Sequence, residues 1–135
     1  MNISFAWTTA ALLAGRKTVT RRVGSDDYYG RFQAGDVLTA WDRSPMYKGK
    51  RIAKIELTAK PYKEAMNLMP DEDYENEGFA YFDENPEIIP KYWLKCFKFH
   101  GIKNFQEWFE MMQKSNDQMW VIEFKVLETI QKEQL

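Results

Sequence analysis

A chain of 135 residues that is 44% hydrophobic, 16% aromatic and 29% charged has the apolar mass for one core and is too apolar for a disordered segment. A net charge of −1 removes the uniformly basic signature of a nucleic-acid binder, and no apolar run reaches the length of a membrane span. The single cysteine, Cys96, cannot form an internal disulfide and residues 1–10 lack the features of a secretory leader, so a cytoplasmic protein without membrane contact is expected.

In chain order, Thr8 and Thr9 are placed to cap a short helix through Leu12, Leu13 and Ala14, which Gly15 ends in a left-handed turn. Residues 17–23 are rich in β-branched side chains and predict a strand. A loop follows over 24–34, and Gly35-Asp36 turns the chain into a second strand at 37–41. Ala53, Ile55, Leu57 and Ala59 alternate with Lys54, Glu56 and Thr58, the period of a half-buried strand. From Glu64 to Met112 the period becomes helical. Phe105, Trp108, Phe109 and Met112 form one apolar face behind Asn104, which with Glu107 makes a capping-box-like start.

A last strand over 119–127 sets Trp120, Ile122, Phe124 and Val126 against Glu123 and Lys125. Strands at both ends of a helical middle predict a single α+β domain over 1–135, with a closed or nearly closed sheet. No repeat or low-complexity stretch divides it. Residues 1–63 hold 12 Lys and Arg against 5 Asp and Glu, and residues 64–135 hold 7 against 15. Pairing of the first and last strands would mix these two halves.

The densest functional signal is the segment 15–22, Gly-Arg-Lys-Thr-Val-Thr-Arg-Arg, with four cations in seven residues. Arg16, Lys17, Arg21 and Arg22 suit phosphate or a base edge, or else form a solvated cationic strand. Trp7 and Trp41 are candidates to stack on a base, the alternative being ordinary aromatic core. Cys96 and His100 have a spacing that fits two metal ligands, but no further Cys or His completes a site, so neither metal nor cofactor is expected. The acidic run Asp71, Glu72, Asp73 and Glu75 is read as a solvated helix start.

The segment 12–22 resembles the opening signature of ASCH domains, a Gly-x-Lys-Thr-x-Thr-x-Arg pattern behind a short helix. Gly35-Asp36-Val37-Leu38, Glu77-Gly78-Phe79 and Trp120-Val121-Ile122-Glu123-Phe124 are similar, in order, to later anchors of that family. The opening Ser4-Phe5-Ala6-Trp7 and the turn Asp42-Arg43-Ser44-Pro45 resemble a bacterial and phage subgroup. The resemblance implies a PUA-like β-barrel with short helices packed around it, whose relatives bind RNA or modified bases. It also implies a distant likeness to an acetylcytidine amidohydrolase, whose catalytic lysine, threonine and glutamate fall by motif position on Lys17, Thr20 and Glu77. Glu77 beside Gly78 also reads as a surface residue at a helix end.

Residues three apart on a regular strand face opposite ways, so Lys17 and Thr20 converge only if the strand starts late or bulges. Residues 80–103 form an aromatic-rich helical insertion relative to the family pattern, placed to reshape the pocket. The expected role is binding of RNA or a modified nucleoside or nucleobase, by a monomer or weak homodimer. Two alternatives stand beside it: a hydrolase acting on an acylated cytidine or on RNA, and a protein-interaction module using the aromatics between 81 and 99.

Overall fold

The computed structural model of the chain describes residues 1–130, so the last five residues of the expected 1–135 domain lie outside the described residues. Strand β1 (Asn2–Ser4) leads through a 3-10 turn (Ala6–Thr8) into helix α1 (Thr9–Leu13), and strand β2 follows at Val19–Arg22. Helix α2 (Asp26–Tyr29) interrupts the expected loop, because Ser25 caps it by accepting a bond from the Tyr28 amide. Strands β3 (Val37–Trp41), β4 (Arg51–Leu57) and β5 (Tyr62–Ala65) come next. Helices α3 (Asp73–Asn76), α4 (Phe79–Glu84), α5 (Lys91–His100) and α6 (Phe105–Met112) then precede strand β6 (Gln118–Thr129).

The six strands make one mixed sheet in the order β1-β3-β4-β6-β2, with β5 also paired to β6. Strand β6 is its spine. Its first half lies between β2 and β5, with Val121 opposite both Arg21 and Tyr62, and its second half pairs with β4 through Phe124 opposite Leu57. The first and last strands of the sequence pattern therefore share one sheet, as expected. Curling leaves β1 and β2 as edges that do not pair with each other. A side chain laces this seam: the Arg22 guanidinium donates to the Ser4 carbonyl and lies over the Phe5 ring, 5.4 Å from its centroid.

Two apolar clusters support the sheet. Phe5, Leu12, Phe32, Leu38, Ile55, Leu57, Ile122 and Phe124 fill the curl, and Ala11, Phe79, Phe82, Phe97, Phe105 and Phe109 bind the helices together. Helix α6 starts as the sequence predicts, with Asn104 Oδ1 accepting from the Glu107 amide at 3.0 Å. The reciprocal bond reaches one residue further back than a capping box does, from the Lys103 amide to Glu107 Oε2 at 2.7 Å. Asp83 of α4 adds a second cap, accepting from the amides of Phe105 and Gln106.

Several expectations need correction. Thr8 and Thr9 do not cap α1; their hydroxyls donate backward to the carbonyls of Phe5 and Ala6. Strand β1 was not anticipated, because three residues are too few to show a period. Strand β5 lies where the helical period was expected to begin at Glu64; the edge of β6, and not its own pattern, makes it a strand. Ala59 falls beyond the end of β4. Val121 is as buried as Ile122, since that part of β6 is covered on both faces. Residues 80–103 form two helices joined by a 3-10 turn (Pro86–Ile88). Among the described residues no helix is long and apolar enough to cross a membrane.

Candidate active site

A cavity of about 630 Å³ opens between the sheet and the helical layer, and the side chains of Lys17, Thr20 and Glu77 all line it. These three are 2%, 5% and 6% exposed and form its floor. Trp7, Trp93, Trp108, Met66, Met112 and Met119 are half-buried and form the walls toward solvent. The cavity thus sets a polar cluster at depth beside the buried Phe5 and Phe79, within a largely apolar rim.

The late start of β2 lets Lys17 and Thr20 line the same cavity. Gly15 turns the chain at φ +73°, and the Thr18 amide then donates to the Asn76 carbonyl at 2.8 Å, docking residues 17–18 on α3. The ladder begins only at Val19. Lys17 therefore escapes the alternation that would have sent it to the face opposite Thr20, and the expected strand over 17–23 is two residues too long at its start and one at its end.

Glu77 is delivered by the junction of α3 and α4. It is the last residue before Gly78, whose φ of +93° lets the chain reverse into α4. A Cβ on Gly78 would stand 2.7 Å from Ala11 Cβ and 3.6 Å from Lys17 Cβ, so a residue without a side chain is needed for this close approach. The reading of Glu77 as a surface residue is not met, for it is buried against the lysine. Lys17 Nζ donates to the Glu77 carbonyl at 2.9 Å and lies 3.1 Å from Glu77 Oε1.

Burial pushes the Lys17 amine below its ordinary value; Glu77 opposes this, while the charges of Arg22 and Arg21 add to it. Arg21 holds the other carboxylate oxygen of Glu77 at 2.8 Å, and its second terminal nitrogen meets Glu64 at 2.9 Å and Asp73 at 2.6 Å. Its side chain is only 4% exposed. Three carboxylates thus surround one guanidinium, and the acidic run is not simply solvated: Asp73 is buried on Arg21, and Glu75 pairs with Arg16. Glu64 and Asp73 were not foreseen as part of the site. The spacing of Asp73 and Glu77, four apart on a helical stretch, is the signal that could have revealed one of them.

The remaining candidates divide. Arg22 lines the cavity and its Nε donates to Thr20 Oγ1 at 3.3 Å. Arg16 lies outside the cavity lining, bridged at 2.6 Å to both Glu75 and Glu84. Trp7 lines the wall and stacks at 5.1 Å on Phe105, so it serves core and cavity together. Trp41, on β3, is not among the lining residues. The cationic segment is therefore largely spent on internal partners and is not a free strip for phosphate. The aromatic stretch 80–103, expected to reshape the pocket, contributes Trp93 to its wall, whereas Trp108 and the three methionines carried no site signal. Among the described residues no group of three or more His, Cys, Asp or Glu side chains is placed to hold a metal ion.

No family model and no curated protein matches the chain. Solved structures do. A DUF984-family protein from Enterococcus faecalis V583 aligns with a TM-score of 0.54 at 17% identity, over 96% of this chain and 72% of that one. An ASCH domain from Lactobacillus crispatus JV V101 aligns at 0.48 and 18% identity, covering 88% and 69%. A mutant ASCH protein from Zymomonas mobilis aligns at 0.48 and 12% identity, covering 98% and 76%. At these identities the likeness is one of fold. The curled mixed sheet with its helical flank is the α+β arrangement that the motifs predict, and its fold is similar to that of the DUF984-family protein.

Proposed function

We propose that the chain is an amidohydrolase acting on an acylated nucleobase or nucleoside, with Lys17, Thr20 and Glu77 as its catalytic residues. The observation that carries this reading is the meeting of all three in one cavity around a buried amine of lowered pKa. An amine, a hydroxyl and a carboxylate lining one cavity are the groups that acyl transfer needs. In the proposed reaction, Lys17 takes the Thr20 hydroxyl proton as the oxygen bonds to the amide carbon. The C–N bond then breaks, and the proton passes through Glu77 to the departing exocyclic nitrogen. Water cleaves the resulting threonyl ester by the reverse relay, releasing the acid. Arg22, which donates to Thr20 Oγ1, favours charge on that oxygen.

The test is turnover of acetylcytidine, followed by release of cytidine, in the wild type and in Lys17→Ala and Thr20→Ala. Wild-type turnover that both variants abolish is the expected result. A wild-type protein that leaves the substrate intact over hours would remove this reading in favour of a nucleoside-binding pocket.

A further inference from the structure

Of the four cations in the segment 16–22, three have carboxylate partners: Arg16, Lys17 and Arg21. Arg22 has none within 4.0 Å among the described residues. The oxygens beside its guanidinium are neutral. Nε donates to Thr20 Oγ1 at 3.3 Å, Nη2 donates to the Ser4 carbonyl, and the Tyr29 hydroxyl lies close by. The Phe5 face beneath it offers only a ring quadrupole. Burial pushes the guanidinium below its ordinary value, as befits a cation held out of water without a counter-ion.

The same guanidinium is a partition. Arg22 and Ser4 line the main cavity and also a second pocket, of about 100 Å³, at the seam where β1 and β2 do not pair. Asn2, Tyr28 and Tyr29 add polar groups to this seam pocket, and among the described residues no Asp or Glu lines it. The open sheet edge supplies a backbone donor as well. A strand residue's N–H and C=O point to the same side, so the Ser4 amide faces the seam with the carbonyl that Arg22 engages.

Size narrows the occupant. One water's share of the liquid is about 30 Å³, so the pocket has room for roughly three waters, or for one ion of about four or five heavy atoms. A nucleoside does not fit. One unpaired guanidinium beside neutral donors, with no acid in the lining, is the donor set of a small oxyanion.

We propose that the seam pocket binds a small oxyanion, a carboxylate or inorganic phosphate, on the Arg22 guanidinium, and that this anion restrains the Thr20 centre from the opposite side of the same group. The restraint rests on the hydrolase reading of the main cavity; the binding site does not. Arg22 favours charge on Thr20 Oγ1, and its charge adds to the lowering of the Lys17 amine. An anion paired with Arg22 on the seam side cancels part of both effects. The carboxylate that amide hydrolysis releases belongs to the class that fits, so product acts back on the enzyme without entering the main cavity.

The experiment is isothermal titration of sodium acetate, and separately of sodium phosphate, into the full chain at an ionic strength balanced with sodium chloride. Turnover of acetylcytidine is measured across the same concentrations. The two arms separate a planar carboxylate from a tetrahedral phosphate. At least one anion is expected to bind one to one and to lower kcat about fivefold or more with KM unchanged. Arg22→Gln is expected to abolish binding. Asn2→Asp changes an exposed residue outside the catalytic machinery and places a carboxylate in the pocket. It keeps the test open should Arg22→Gln fold poorly. This variant is expected to lose about tenfold or more in anion affinity and to show the lowered kcat with no anion added.

Anion affinity unchanged in Asn2→Asp overturns the proposal. So does inhibition that raises KM and leaves kcat alone, which places the anion in the main cavity, or a kcat indifferent to the bound anion. Anion binding that depends on Asn2 and Arg22 in a protein without turnover upholds the seam pocket and removes the hydrolase. Turnover in a protein that binds neither anion at tens of millimolar overturns the pocket and leaves the hydrolase standing.

Discussion

Glu77 holds Lys17 by two different atoms, its side-chain carboxylate and its own main-chain carbonyl. One residue therefore both fixes the amine in space and limits how far burial can neutralise it. Lys17→Arg separates charge from proton transfer, because a guanidinium cannot deprotonate near neutral pH. Turnover of acetylcytidine is expected to vanish in this variant, as in Lys17→Ala. Glu77→Gln, which keeps the carbonyl contact, is expected to lose on the order of a hundredfold. Measured turnover in Lys17→Arg above a tenth of wild type would be incompatible with Lys17 as a base.

The lowered Lys17 pKa sets a pH dependence of stability with a definite sign. Between its folded value and 10.5, the unfolded chain binds a proton that the folded chain has released, so stability rises with pH across that window. Tyr62 acts in the opposite sense. Burial and its bond to Glu123 push its hydroxyl up to about 12, so from pH 10 to about 12 the folded chain keeps a proton that the unfolded chain loses, and stability falls. Urea denaturation against pH should show the rise abolished in Lys17→Met and the fall reduced in Tyr62→Phe.

Arg21 is the shared partner of Glu64, Asp73 and Glu77, and its side chain is almost fully buried. Arg21→Gln leaves Glu64 and Asp73 without their cation and Glu77 with Lys17 alone. Loss of one member of a buried ion pair costs about 3–5 kcal/mol, so this variant is expected to be strongly destabilised in chemical denaturation. Arg16→Gln removes the exposed pairs with Glu75 and Glu84 and the guanidinium over the Tyr81 ring, and is expected to change stability by about 1 kcal/mol or less.

Gly78→Ala tests the junction that aims Glu77. The added Cβ meets Ala11 at 2.7 Å while the backbone sits at φ +93°, and the combined strain is expected to cost about 2 kcal/mol or more. Because relief of the Ala11 clash must shift the junction that carries Glu77, turnover is expected to fall beyond what the lost stability explains. Thermal melting and turnover at a temperature well below the melting point separate the two effects.

The sequence revealed most where one rule governed one element. The Asn104–Glu107 cap, the alternation along β4 and the apolar face of β6 were each readable because local pattern and burial agree there. The family motif placed Lys17, Thr20 and Glu77, but their convergence was undetermined, since it depends on a Thr18–Asn76 backbone bond that joins distant segments. Arg21 lines the cavity, but its three carboxylate partners were hidden for the same reason: a guanidinium inside carboxylates and one facing solvent look alike in a sequence. Strand β5 has no pattern of its own and exists because β6 offers it an edge. The cavity walls were hidden as well, because Trp108 and Met112 sit on a helix face that reads equally as core.

Strand β6 places a condition on biosynthesis. Val19 lies opposite Glu123, and Thr20 opposite Ile122, so the strand that carries the Thr20 hydroxyl has its partner much later in the sequence. A nascent polypeptide emerging at the ribosome can form α3, α4 and α6 from neighbouring residues, but β2 stays unpaired until residues 118–129 have left the exit tunnel. During that interval the cationic segment 16–22 is unladdered and exposed. A polypeptide interrupted before Gln118 has no partner strand for β2, so the ladder that fixes Thr20 opposite Ile122 forms only after β6 has been made.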